Sequence, residues 1–227
     1  MSNLGIKTNV RFRKEITMSY SSLFGIKKDY TGECICDFKN SWLFSPIVMA
    51  ILPDKYIPQF IKTPFGFKKS IISDMSGEVF KKTNERVNNC KNTADRVCWE
   101  LANQQIFSTK DKQIVFDSIH KFIEQNKAYN KSDEDGISSL EREHIIERFN
   151  EITDEILGLD EDEYPYFVFK NTSVDDEVER WFFKEDENGE YVEASLKENI
   201  DNFYAEFVVI ENGEIKGFVS NKEFDYS

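Results

Sequence analysis

The sequence predicts an α+β protein, a helix-rich N-terminal part followed by an acidic antiparallel-sheet unit with two Asn-Gly hairpins. Three observations predict it. Apolar residues recur at helical spacing between about 76 and 157, two ENGE turns sit between strand-like runs in the last fifty residues, and the charge changes sign near residue 130. With 227 residues, 40% hydrophobic content and 20 Phe, the chain has the apolar surface to build a core despite its net charge of −13.

The elements follow in order. Ile6, Thr8, Val10 and Phe12 alternate with Lys7, Asn9, Arg11 and Arg13, the period-two pattern of a half-exposed strand. Met18, in TMSYSS, offers an alternative start that would make residues 1–17 an extension. ECICDF reads as extended, with Cys34 and Cys36 on one face. Ser45-Pro46 reads as an N-cap with proline at the first helical position, opening a short helix to about Leu52, and Pro53 and Pro58 then break the chain. The apolar run 42–53 is about half the roughly 20 residues a membrane span needs, so it is expected in the core.

From Ser76 to Gln105, Phe80, Val87, Ala94 and Leu101 recur at intervals of seven, predicting one long helix that polar NNCKN interrupts and bends. Cys90 and Cys98 are expected on it as small core residues, and Trp99 lies off its stripe. Ser108 with Asp111 resembles a capping box for a second helix, whose core face is Val115, Ile119, Phe122 and Ile123. Residues 126–136 are polar and end in glycine. They mark the expected boundary between a mildly basic region, 1–130, and a strongly acidic one, 131–227, which can still pack as one domain. A third helix spans 139–157 with Ile145, Phe149, Ile152 and Ile156 inward. Beyond it, YPYFVFKN is strand-like. Asn188-Gly189 and Asn212-Gly213 suit type I′ turns, because both central residues there need positive φ. Ser195 with Glu198 forms a capping box for a short helix carrying Leu196, Ile200 and Phe203.

The first region holds 20 Lys and Arg against 13 Asp and Glu; the second holds 9 against 29. Such asymmetry points to an interaction surface, and it excludes phosphate contacts through the acidic half. The basic residues of the first half are scattered in short clusters, as on an ordinary solvated surface.

No motif fixes a reaction. There is no G-x-S-x-G, P-loop, G-x-G-x-x-G or H-E-x-x-H. Calcium loops fail at their first and last ligand positions, where Lys131 and Arg142, or Lys184 and Ser195, stand, and DEDEYP puts Pro165 where glycine must turn. Cys34 and Cys36, and Cys90 and Cys98, have the wrong spacing for zinc. Asp117-x-x-His120 and Glu141-x-x-His144 have the spacing of half a carboxylate-bridged metal site, but on a helical wheel they point sideways from their apolar stripes. Neither a metal nor a cofactor is therefore expected.

The remaining feature is acidic. Asp160, Glu161, Asp162 and Glu163 form one run; Asp175, Asp176 and Glu177 a second; Glu185, Asp186 and Glu187 a third. These are the expected partner-binding residues of a non-catalytic, inhibitor or immunity-type protein presenting an acidic face to a basic partner. A nucleic-acid mimic directed at a restriction or defence enzyme is the alternative within the binding class. An enzyme assembled from dispersed residues near Trp99, His120, Glu141 and His144 is the alternative outside it. Four cysteines and an N-terminus with no apolar h-region predict a cytoplasmic protein with reduced thiols and no membrane contact.

Overall fold

The computed structural model describes residues 20–39, 44–58, 77–127, 143–171 and 178–227. The expected strand at 6–13, the connector at 59–76, most of the boundary at 126–136, Glu141 and the run Asp175–Glu177 lie outside them.

The class is α+β. A six-stranded sheet has the order β2-β1-β4-β3-β7-β8, with β1 at Tyr20–Ile26, β2 at Gly32–Lys39, β3 at Ile106–Ser108, β4 at Tyr166–Lys170, β7 at Glu206–Glu211 and β8 at Glu214–Ser220. All neighbours are antiparallel except β3 and β7, which run parallel, so the sheet is mixed rather than wholly antiparallel. It interleaves strands from both sides of residue 130. The strands β5 (Phe183–Glu185) and β6 (Tyr191–Glu193) form a separate two-stranded ribbon.

Alternation of side chains across the pleat builds a core on each face. Leu23, Phe107, Phe167, Phe169 and Val208 point to one, where they meet five helices: α1 (Phe44–Tyr56), α2 (Glu78–Asn88), α3 (Thr93–Ala102), α4 (Lys112–Asn126) and α5 (Glu143–Gly158). Their neighbours Phe24, Ile106, Val168 and Phe207 point to the other, covered by a 3-10 turn at Val178–Phe182, the 196–203 segment and Tyr226.

The expected core faces of α4 and α5 are buried. Four other expectations change. α1 runs through Pro53 to Tyr56, because burial of Ile51, Leu52 and Pro53 outweighs the one hydrogen bond a proline cannot make. Ser45 is no N-cap: it lies inside the helix, and its hydroxyl donates to the Ala102 carbonyl at 3.5 Å. The single helix expected from 76 to 105 is two. Asn89 closes α2 by giving both its backbone N–H and its side-chain Nδ2 to the Glu85 carbonyl, at 3.2 and 2.8 Å, and α3 restarts after Asn92. Cys90 therefore sits half-buried in the break, while Cys98 is buried on α3. The Ser108 hydroxyl makes no capping bond, and a 3-10 turn precedes α4 instead.

Three buried asparagines tie the irregular segments to the sheet and helices. Asn171 Nδ2 donates to the Leu101 and Ala102 carbonyls, both at 3.1 Å. Asn221 Nδ2 donates to Ile200 and Phe203, both at 3.0 Å. Asn199 Nδ2 lies 2.9–3.1 Å from the carbonyls of Arg180, Trp181 and Phe183. Each satisfies backbone acceptors that no ladder reaches.

Candidate functional site

The two Asn-Gly turns differ in geometry. Asn212 and Gly213 both have positive φ, 52° and 78°, as a type I′ turn requires, and they join β7 to β8. The β5–β6 turn is longer. Only Gly189 is left-handed, at φ 79°; the Gly189 N–H donates to the Asp186 carbonyl at 3.0 Å and the Asp186 N–H to the Glu190 carbonyl at 2.8 Å. This is the three-residue loop that ends in a glycine bulge. Asp186 holds it closed, its Oδ1 accepting the Asn188 and Glu190 N–H groups at 2.8 and 2.9 Å. Those backbone bonds lower the carboxyl's pKa below its ordinary value.

Glu185, Glu187, Glu190 and Glu193 are all exposed on this ribbon, as is every residue of β6. Among the described residues, Tyr191 and Val192 are two of the few large apolar side chains that are exposed. The ribbon is anchored from below: the Ala194 N–H donates to the Phe182 carbonyl at 2.9 Å, and Lys184 pairs with Glu198 at 2.6 Å. The Ser195–Glu198 capping box forms, with the Ser195 N–H donating to Glu198 Oε2 at 3.0 Å and the Glu198 N–H to Ser195 Oγ at 3.3 Å. No helix propagates from it. Residues 196–201 remain a set of turns, with Asn199 drawn to the carbonyls below it.

The 160–163 run is the exit of α5. Carboxylates at a helix C-terminus oppose its dipole, and the conflict is resolved by a cation from another element. Lys112, the first residue of α4, donates its Nζ to the Leu159 carbonyl at 2.6 Å and lies 3.6 Å from Glu161 Oε1. Asp160 Oδ1 accepts the Asp162 N–H at 2.8 Å, which turns the chain outward. All four acidic residues are exposed. Tyr164, next in sequence, lays its ring over Gly25, so close that a Cβ there would stand 2.4 Å from a ring carbon. Burial pushes its hydroxyl above the ordinary tyrosine range, and the nearby Glu33 and Glu163 carboxylates add to the rise.

Other expected residues take structural places. Trp99 is fully buried, its ring beside Phe80 at 5.6 Å and its Nε1–H donated to Asn84 Oδ1 at 2.7 Å. His120 packs on Phe116 at 4.2 Å and borders an open groove of about 350 Å³ between α4 and α5, with Ile123, Lys127 and Ile146. His144 is exposed on α5. Among the described residues, no three His, Cys, Asp or Glu side chains gather as a metal site would need. The bulge in β2 at Ile35, where Leu23 pairs with Cys36 and Phe24 with Cys34, breaks the simple alternation expected of the two cysteines. Burial, then nearby carboxylates, pushes the Cys34 thiol up to about 11.

Two buried carboxylates were not anticipated. Asp95 is completely buried and accepts both Lys55 Nζ and the Tyr56 hydroxyl on Oδ2, each at 2.5 Å. Glu100 is 2% exposed. The only signal in the sequence is an acidic residue inside the otherwise apolar window VCWELA, or beside Ala94 in a helical stripe.

No helix among the described residues is long and apolar enough to cross a membrane. No family model matches the chain, and no curated protein or solved structure shows significant similarity to it.

Proposed function

We propose that this is a non-catalytic binding protein of the inhibitor or immunity type, which presents the β5–β6 ribbon and the 160–163 turn to a basic protein partner in the cytoplasm. One observation supports the reading above others. Of the nine Lys and Arg in residues 131–227, five are already paired with carboxylates of the same half: Arg148 with Glu151, Lys170 with Glu179, Lys184 with Glu198, Lys216 with Glu214 and Lys222 with Asp201. Internal pairing leaves a large surplus of carboxylates facing water, where a cationic partner relieves their repulsion and is steered in by their field. All four cysteines are free thiols, which suits a reducing compartment.

The test is affinity capture from the source cell with the wild-type protein and with a Glu185→Lys/Glu187→Lys/Glu190→Lys variant, eluted in steps of salt. A partner of high isoelectric point that is held by the wild type and lost by the variant supports the proposal. A partner captured equally by both refutes it.

A further inference from the structure

The pairing of β5 with β6 fixes which side chains of the ribbon share a face. The Asp186 N–H donates to the Glu190 carbonyl at 2.8 Å, and the Ala194 N–H to the Phe182 carbonyl at 2.9 Å. Bonded and non-bonded pairs alternate along an antiparallel ladder, so Lys184 with Val192 is a bonded pair as well. Glu185 with Tyr191 and Phe183 with Glu193 are then the closer, non-bonded pairs between them. Opposed side chains of such pairs share a face, with Cβ atoms about 4.5–5.5 Å apart. Along β6, Tyr191 and Glu193 stand on that face roughly 6.5–7 Å from each other. The Tyr191 ring thus has one carboxylate across the ribbon and another along its own strand. Phe183, half-buried against the second core, closes the base of the row.

Glu185, Tyr191 and Glu193 are all exposed, Tyr191 at 56%. Neither Glu185 nor Glu193 forms an ion pair with a cation among the described residues. Lys184 reaches Glu198 from the opposite face at 2.6 Å, and Lys27, which feels the Glu193 charge, is held by Glu33 at 2.6 Å. The row therefore combines an exposed aromatic ring with two uncompensated negative charges. Carboxylates kept in water for solubility alone need no aromatic ring between them.

We infer that this row is an arginine site: the guanidinium of an arginine on the basic partner stacks on the Tyr191 ring and donates to the Glu185 and Glu193 carboxylates beside it. The site rests on the reading of the ribbon as partner-facing, and it names the side chain that the ribbon takes. Charge selects a cation, and shape selects arginine over lysine. A planar guanidinium lies flat on an aromatic ring, where an ammonium meets it as a point charge. Its five N–H donors reach two carboxylates while it is stacked. The negative face of the ring adds attraction to the cation.

The probes are hexa-arginine and hexa-lysine, each titrated into the isotope-labelled full chain at an ionic strength of about 10 mM, where screening is weak. Backbone amide shifts give the affinities, and nuclear Overhauser effects locate the bound side chain. Hexa-arginine is expected to bind the ribbon more tightly than hexa-lysine, with contacts from its δ-methylene protons to the Tyr191 ring. Tyr191→Leu is expected to weaken hexa-arginine about two- to fivefold and hexa-lysine by less, whereas Tyr191→Phe keeps the preference. Glu185→Gln with Glu193→Gln is expected to weaken both peptides. Equal affinity of the ribbon for the two peptides overturns the arginine site, as does a Tyr191→Leu variant that binds hexa-arginine as the wild type does. Both of these outcomes leave the acidic face standing as a surface for cations. A ribbon that shifts with neither peptide overturns the site together with the reading on which it rests.

Discussion

Replacing Asn199 with alanine removes the side chain that holds the base of the acidic ribbon. Asn199 is 2% exposed, and its Nδ2 lies 2.9, 3.1 and 3.0 Å from the carbonyls of Arg180, Trp181 and Phe183. Its Oδ1 also accepts from Asn202. An amide nitrogen has two hydrogens, so three contacts represent about two full bonds. The contacts to Arg180 and Phe183 are only part-buried, and water takes over there; the Trp181 contact is buried and loses its donor outright. One buried unsatisfied carbonyl plus one partly replaced bond gives a loss of about 2–3 kcal/mol. At this chain length that corresponds to a melting point lower by roughly 5–10 °C. Asn199→Asp, which turns a carboxylate toward the same carbonyls, is expected to cost more than alanine at pH 7. Urea denaturation followed by circular dichroism and by Trp fluorescence measures both. A loss below about 0.5 kcal/mol for alanine, or an aspartate as stable as the wild type, refutes the reasoning.

Two further outcomes follow from close contacts and charge. Gly25→Ala places a Cβ 2.4–2.9 Å from three ring carbons of Tyr164, so a loss of about 1–3 kcal/mol is expected, shrinking sharply in a Tyr164→Ala background; an equal loss in both backgrounds contradicts the contact. Glu198 is held down to about 2, first by Lys184 and then by the Ser195 N–H. With the folded value below the unfolded 4.5, its stabilisation is present above pH ~4.5 and lost as the pH falls toward 2. Lys184→Met is expected to raise the Glu198 midpoint in a ¹³C carboxyl titration, and an unmoved midpoint removes Lys184 as the cause.

What the residues disclosed, and what they hid, divides along the range of the forces involved. The Asn212-Gly213 turn and the Ser195–Glu198 box were legible because their hydrogen bonds close within four residues. The inward stripes of α4 and α5 were legible because helical period and burial coincide. β1 escaped, since a strand buried on both faces carries no alternation of polar and apolar residues: Leu23 enters one core and Phe24 the other. Pro53 misled because a local rule was overridden by a helix buried on nearly every side. The division of α2 from α3 turned on whether Asn89 side-chain bonding would end a helix, which apolar periodicity does not report.

The acidic site was legible as composition and not as geometry. The four-residue run at 160–163 promised an unbalanced helix end, yet Lys112, 48 positions from Asp160 in the chain, supplies the balancing cation. Asp186 belongs to an acidic run in the sequence but serves to close its own turn. Glu185, Glu187 and Glu190 remain outward. Glu100 and Asp95 were invisible because burial of a carboxylate depends on partners from other helices.

The central claim is that the surplus carboxylates of the second half recognise a basic partner. Its most direct measurement is the association rate constant with the captured partner at ionic strengths from about 10 mM to 1 M, over which the Debye length falls from roughly 30 to 3 Å. The account predicts a rate that drops by at least tenfold across this range for the wild type and changes little for the Glu185→Lys/Glu187→Lys/Glu190→Lys variant. A wild-type rate indifferent to salt, or a variant that binds as fast at low salt, contradicts it.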